Sequence, residues 1–78
     1  MYRYFQRVQV RPASGGQSGY FRGCTAHLEN GQWTVLLRHR RDPALRRPFR
    51  LVVADPPTIE VDDPQDYEGF VPITPLAA

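Results

Sequence analysis

The sequence predicts an all-β fold. Eight prolines and six glycines among 78 residues argue against long helices, while 41% hydrophobic and 12% aromatic residues are too many for a wholly disordered chain. Two stretches near the N-terminus alternate between polar and apolar positions with the period of a β-strand, and an Asn30-Gly31 pair follows them. A chain of this length is expected to form one small domain with a thin core.

The first strand is predicted over residues 2–11. Its alternation assigns five side chains to the core face: Tyr2, Tyr4, Gln6, Val8 and Val10. The opposite face is predicted to be solvated and basic, and it carries Arg3, Phe5, Arg7, Gln9 and Arg11. Residues 12–19 are rich in glycine and serine and predict a flexible loop after this strand.

The second strand is predicted over residues 20–28, with Cys24 on the core face and Phe21 on the outer face. Gly23 in its middle indicates a bulge or a sharp bend. Asn30-Gly31 predicts a tight hairpin, since both central residues of a type I′ turn need positive φ. The return strand over residues 32–38 is expected to place Trp33 in the core as its main anchor.

An arginine-rich loop is predicted between the third and fourth strands, over residues 38–50. Six of the ten arginines lie in it, the chain has no lysine, and only Asp42 opposes this charge locally. Asp42 could cap a single helical turn that has Pro43 at its first position. Strand character resumes over residues 49–53 and again, after a proline turn, over residues 58–61.

The charge is divided along the chain. Residues 1–50 carry ten arginines against Glu29 and Asp42, for a net charge of +8, while residues 51–78 carry six carboxylates and no basic residue, for −6. We therefore predict a β-barrel domain over residues 1–61 and an extended, acidic, proline-containing tail over residues 62–78. An anionic partner, a tail that masks the basic surface, or both would account for this asymmetry.

Five short strands with a tight central hairpin suit a small barrel. Within residues 5–37, the pattern Val8-x-Val10, Gly19-x-x-x-Gly23, Asn30-Gly31 and Trp33-x-Val35-x-Leu37 resembles the SH3-like barrels, in particular the KOW type. The resemblance implies a five-stranded SH3-like barrel, and the arginine-rich loop and the acidic tail depart from its pattern. An OB-like barrel is the structural alternative.

The leading functional hypothesis is a non-catalytic module that binds nucleic acid, mainly through its phosphates. Such a protein needs cations that displace counterions and flat rings on which bases stack. The predicted cationic residues are Arg38, Arg40, Arg41, Arg46, Arg47 and Arg50 of the loop, with Arg3 and Arg7 of the first strand. Phe5 and Phe21, on the predicted outer faces, are the expected stacking rings.

Binding to an acidic protein surface is the alternative hypothesis. Arginine and aromatic residues are common interface hot spots, so the loop and the tail could make the chain an adaptor, an inhibitor or an assembly subunit, for example an accessory protein of a phage or mobile element. The tail could also fold over its own arginines and compete with an external anion. The sequence leaves the oligomeric state open.

The sequence shows no catalytic, metal or cofactor signature, so we expect no enzyme activity and no cofactor. Cys24 and His27 are three residues apart, which places them on opposite faces of a regular strand. With His39 they make too few ligands for a closed structural zinc site. One cysteine, no signal peptide and no apolar run of membrane-spanning length make a cytoplasmic protein without a membrane partner the expectation.

Overall fold

The fold is a closed five-stranded β-barrel with a sixth strand added, which confirms the predicted all-β class. The structure is a computed structural model that describes residues 1–12 and 17–73. The strands are β1 (Tyr2–Pro12), β2 (Gly19–Glu29), β3 (Gln32–Arg38), β4 (Arg46–Val52), β5 (Thr58–Val61) and β6 (Phe70–Pro72). Residues 13–16 of the predicted first loop and residues 74–78 of the predicted tail lie outside the described residues.

Consecutive strands pair antiparallel from β1 to β5, and β5 then pairs with β1 to close the barrel. Because five strands alternate in direction, the closing pair runs parallel, with Val10 opposite Ile59. The tight turn between β2 and β3 is confirmed: Asn30 and Gly31 have φ values of 53° and 75°, as a type I′ turn requires. None of the helical segments in the described residues is long and apolar enough to span a membrane.

Side chains of β1 and β2 point alternately into and out of the barrel, but at one point in each strand this alternation shifts by one residue. In β2 the buried side chains are Phe21 and then Cys24, three residues later, and in β1 they are Phe5 and then Val8. Gly23 lies inside this step with φ of 64°, a conformation that favours glycine. The expected irregularity at Gly23 is therefore present, and it shifts the alternation by one residue.

This shift accounts for the misplaced aromatic residues of the first strand. Tyr2 and Tyr4, predicted in the core, are 72% and 63% exposed, whereas Phe5, predicted outside, is buried. Since Phe5 lies opposite Cys24 and Val8 lies opposite Phe21, the two strands exchange their inward faces together. Trp33 is only partly buried and packs against the core rather than anchoring it.

Residues 62–72 pack against the closed barrel, whereas the sequence predicted an extended tail from residue 62 onward. Pro64–Asp66 forms a single 3₁₀ turn, and β6 pairs antiparallel with the first residues of β2. Tyr67 and Phe70 belong to the hydrophobic core, where the ring of Phe70 lies 5.4 Å from that of Phe21. Residues 62–72 are thus part of the folded domain.

The arginine-rich loop is shorter than predicted because β4 already begins at Arg46. The Asp42 carbonyl accepts a hydrogen bond from the Leu45 amide at 2.9 Å, and the Asp42 carboxylate accepts one from the Ala44 amide at 3.2 Å. Asp42 therefore caps a turn, as expected, although no helix follows it. β5 pairs with β4 only at Leu51 and Val52, so Pro48 has no partner on β5. The missing amide hydrogen of Pro48 therefore removes no hydrogen bond between β4 and β5.

Candidate functional site

A cleft of about 620 Å³ lies on the barrel between β2 and β3. The two strands pair with each other only over residues 26–29 and 32–35. Beyond that point residues 66–69 lie between them: the Glu68 amide donates to the Arg38 carbonyl at 2.9 Å, and the Arg22 amide donates to the Gly69 carbonyl at 3.0 Å. The segment predicted as a tail therefore closes one end of the cleft.

The cleft is lined by apolar, aromatic and charged residues. Four of the residues that border it belong to the core and are only 1–5% exposed: Phe21, Cys24, Val35 and Leu37. Tyr2, His27 and Leu36 line its walls, and the side chain of Leu36 is 59% exposed. A ligand in this cleft would meet apolar surface and ring faces as well as charge.

The charge of the cleft is positive. Among the described residues that line it, Arg22, Arg38 and Arg46 are cationic and Glu68 is the carboxylate. Arg38 and Arg46 lie directly opposite each other on β3 and β4, and like charges in that position destabilise a sheet by about 0.2–1 kcal/mol. Glu68 offsets this only weakly, because its carboxylate oxygen is 3.8 Å from Nε of Arg38 and both side chains are about half exposed.

A second pair of facing arginines adjoins the cleft. Arg7 on β1 lies opposite Arg22 on β2, and the Arg7 guanidinium lies 3.8 Å from the ring centroid of Tyr20. This cation–π contact holds Arg7 against the barrel wall. Arg22 therefore links the basic residues of the first strand to those of the cleft through the strand order.

The other arginines of the predicted loop point to different surfaces. Arg40 donates from Nε to the Tyr67 carbonyl at 3.1 Å. Arg47 lines a small pocket of about 310 Å³ at the barrel end together with three carboxylates, those of Asp62, Asp63 and Asp66. Arg41 is exposed in the loop, and Arg50 lies with Arg11 and Glu60 around a separate cavity. Two of the six loop arginines, Arg38 and Arg46, thus line the cleft.

The structure corrects the two proposed stacking rings. Phe5 and Phe21 are 8% and 1% exposed, so neither can offer a face to a base. The physical reason is the change of inward face at Gly23, which carries both rings into the core. The Arg3 guanidinium lies 4.8 Å from the ring centroid of Phe5, at the edge of that core.

Several residues of the site were not predicted from the sequence. Tyr2 and His27 form a stacked pair with ring centroids 4.7 Å apart and an interplanar angle of 22°, whereas the sequence predicts Tyr2 in the core and no binding role for His27. Arg22 and Glu68 reach the cleft through pairings between distant parts of the chain. The one available signal was Gly23, since a glycine inside a strand can shift the faces that follow it.

Cys24 and His27 lie on opposite sides of β2, as the alternation predicts. Cys24 is buried, whereas His27 stacks on Tyr2 outside the barrel and has Nδ1 3.7 Å from the Glu29 carboxylate. Within residues 1–12 and 17–73, no three His, Cys, Asp or Glu side chains gather as metal ligands. The cationic groups of the cleft, Arg22, Arg38 and Arg46, can bind an anion.

Burial raises the pKa of the Cys24 thiol from its ordinary value of 9.0 to about 11. At pH 8 this lowers the reactive thiolate from roughly one molecule in ten to roughly one in a thousand. We expect native protein to react with an aromatic disulfide reagent at least about 100-fold more slowly than protein unfolded in urea, measured by absorbance. Because the pKa of the thiol is higher in the folded than in the unfolded state, the folded protein binds this proton more tightly. The thiol's contribution to the free energy of unfolding is therefore present below pH 9 and is lost as the pH rises toward 11. Native labelling at the unfolded rate at pH 8 would contradict this.

Comparison of the chain with protein-family models, curated proteins and solved structures finds no match, so the fold and the cleft themselves supply the functional argument.

Proposed function

We propose that this protein is a non-catalytic nucleic-acid-binding module whose ligand lies in the cleft between β2 and β3, held mainly by its phosphates. The observation that carries the proposal is the arrangement of Arg22, Arg38 and Arg46 around one cleft, with Arg38 and Arg46 in direct register. A polyanion relieves the repulsion between these guanidiniums and releases its own counterions when it binds. Arginine also matches phosphate oxygens in a bidentate geometry.

The placement of like charges in the sheet supports the same proposal. Two cross-strand arginine pairs, Arg38 with Arg46 and Arg7 with Arg22, are unfavourable placements in a sheet. Residues that lower stability without an evident structural gain are typical of functional sites. We also propose that the barrel is an SH3-like domain of the KOW type and that the protein is cytoplasmic.

The decisive measurement is the salt dependence of binding to DNA and RNA. In the variant with Arg22, Arg38 and Arg46 all changed to Gln, we expect the slope of log affinity against log salt to become shallower by about two to three units, at roughly 0.7–0.9 per phosphate contact. The matched control changes Arg11, Arg41 and Arg50 to Gln, which removes the same charge away from the cleft. Equal slopes for the two variants, or no wild-type binding at about 10⁻⁴ M, would sink the proposal.

Arg46→Gln alone separates a binding role from a structural one. Because the substitution removes one member of the like-charge pair with Arg38, it should raise the free energy of unfolding by about 0.2–1 kcal/mol while it weakens nucleic-acid binding. Urea denaturation and the binding titration would be run on the same preparation. A substitution that lowers both stability and affinity would indicate that Arg46 acts through the fold.

An acidic protein surface is the second candidate for the same cleft. It is favoured by the exposed apolar side chain of Leu36, which lines the cleft and is 59% exposed, because protein interfaces combine apolar area with arginine. In that case the titrations would show no binding to nucleic acid, and light scattering would show an increase of mass with a partner.

A further inference from the structure

The outer face of β1 presents two large rings to solvent. Tyr2 and Tyr4 are 72% and 63% exposed, although aromatic side chains contribute most when they are buried. They face outward because the alternation changes at Gly23, so their exposure follows from the barrel geometry and not from disorder at the chain start. The Met1 carbonyl accepts a hydrogen bond from the Leu28 amide at 3.0 Å, which holds the beginning of β1 against β2.

Tyr2 is held in place by His27. The two rings stack with centroids 4.7 Å apart, and His27 is itself partly buried on β2. One face of the Tyr2 ring is thus occupied, and with 72% of the residue exposed the rest of the ring remains open to a ligand. A ring that is already oriented loses little conformational freedom when a flat group stacks on it.

The stacked pair and the arginines belong to the same cleft. Tyr2 and His27 line it together with Arg22, Arg38 and Arg46. His27 and Arg22 are five residues apart on β2, which corresponds to about 16 Å along a strand. The cleft is therefore aromatic toward one end and cationic toward the other, so a flexible polyanion could cross it with phosphates and a base at different points.

We propose that the ligand of the cleft is single-stranded nucleic acid, with an unpaired base stacked on Tyr2 and the neighbouring phosphates on Arg22, Arg38 and Arg46. The inference rests on the proposed function and specifies its substrate class. A duplex keeps its bases stacked inside the helix and presents no free base face to a ring on a barrel wall, whereas every unpaired base has one. The selectivity for single strands therefore comes from Tyr2, while the arginines serve either form.

The test compares three proteins on three oligonucleotides of equal phosphate number. The proteins are the wild type, Tyr2→Leu, which keeps apolar bulk without a flat ring, and Tyr2→Phe, which keeps the ring. The oligonucleotides are a single strand, the same strand with abasic sites throughout, and a hairpin duplex, each as DNA and as RNA. Because Tyr2 is largely exposed, all three proteins are expected to fold, which circular dichroism would check.

We expect Tyr2→Leu to bind the intact single strand about 5- to 100-fold more weakly than the wild type, with little change on the duplex or the abasic strand. Tyr2→Phe should bind like the wild type. An equal loss on the intact and abasic strands would overturn the stacking inference, and so would a wild type that binds duplex as tightly as single strand. Wild-type binding to none of the three would instead overturn the proposed function.

Discussion

A chain that ends at Val61 is expected to be unfolded in water at 25 °C. Deletion of residues 62–78 removes Tyr67 and Phe70, which are 4% and 7% exposed in the core, and the β6 ladder on β2. Truncation of one buried Phe to Ala typically costs about 3–5 kcal/mol, and a domain of this size has a total stability of only about 4–12 kcal/mol. The loss of two such side chains, about 6–10 kcal/mol, is comparable with the whole stability available, and the loss of the β6 ladder adds to it.

Point variants in the full chain make this expectation quantitative. Phe70→Ala should lower the free energy of unfolding by about 3–5 kcal/mol in urea titrations followed by circular dichroism. Gln65→Ala is the matched control, since Gln65 is exposed in the same segment, and it should change stability by less than about 0.5 kcal/mol. A cooperative, native-like transition for the chain that ends at Val61 would show that the barrel closes without β6.

Gly19→Ala is expected to have the second largest effect on stability. A Cβ at Gly19 would overlap the Val71 carbonyl oxygen and would lie 2.6 Å from Cε1 of Phe70. The obstacle is backbone on the paired strand, so relief requires β6 to move away from β2. We expect a loss of about 1–3 kcal/mol or more, as for other overpacked sites, together with a change in the near-ultraviolet signal of the aromatic core.

Gly31→Ala is the control for this prediction. Gly31 has φ of 75° but no neighbouring atom within 4 Å of an added Cβ, so its substitution reports only the cost of a left-handed conformation, about 1–2 kcal/mol. Its near-ultraviolet signal should remain that of the wild type. If Gly19→Ala left the stability unchanged, the packing of β6 against β2 would be looser than the structure shows.

The elements that depend on local sequence were predictable. The hairpin at Asn30-Gly31 needs only residues that tolerate positive φ, and the turn at Asp42 needs only a short acceptor side chain next to Pro43. The all-β class follows from the strand alternation together with the frequent prolines. Even the irregularity at Gly23 could be expected, because a glycine inside a strand has few other uses.

The consequences of Gly23 were not predictable from the alternation itself. A strand pattern states which residues share a face, but a shift of one residue exchanges the faces on either side of it. Phe5 and Phe21 therefore went into the core, and Tyr2 and Tyr4 went out. The aromatic rings exposed on this part of the barrel are therefore tyrosines and not the phenylalanines that the alternation predicts.

The acidic composition of residues 62–70 similarly gave no indication that this segment packs into the core. The segment contains Asp62, Asp63 and Asp66, which is typical of a solvated tail. Tyr67, which follows these charges, and Phe70, the first residue of β6, nevertheless belong to the core. The same segment places Glu68 next to Arg38 in the cleft. Its contact with the arginines is thus part of the fold.

The sequence by itself determined the class of the fold, the position of its tightest turn and the predominance of arginine, since these depend on residue type and near neighbours. Only the tertiary structure decided which arginines line one cleft. Arg22 on β2 and Arg38 on β3 border the same cleft, and the backbone of residues 66–69 bridges the two strands at that point by hydrogen bonds to both residues. Contacts of that kind arise from packing over long sequence separation, which no local pattern encodes.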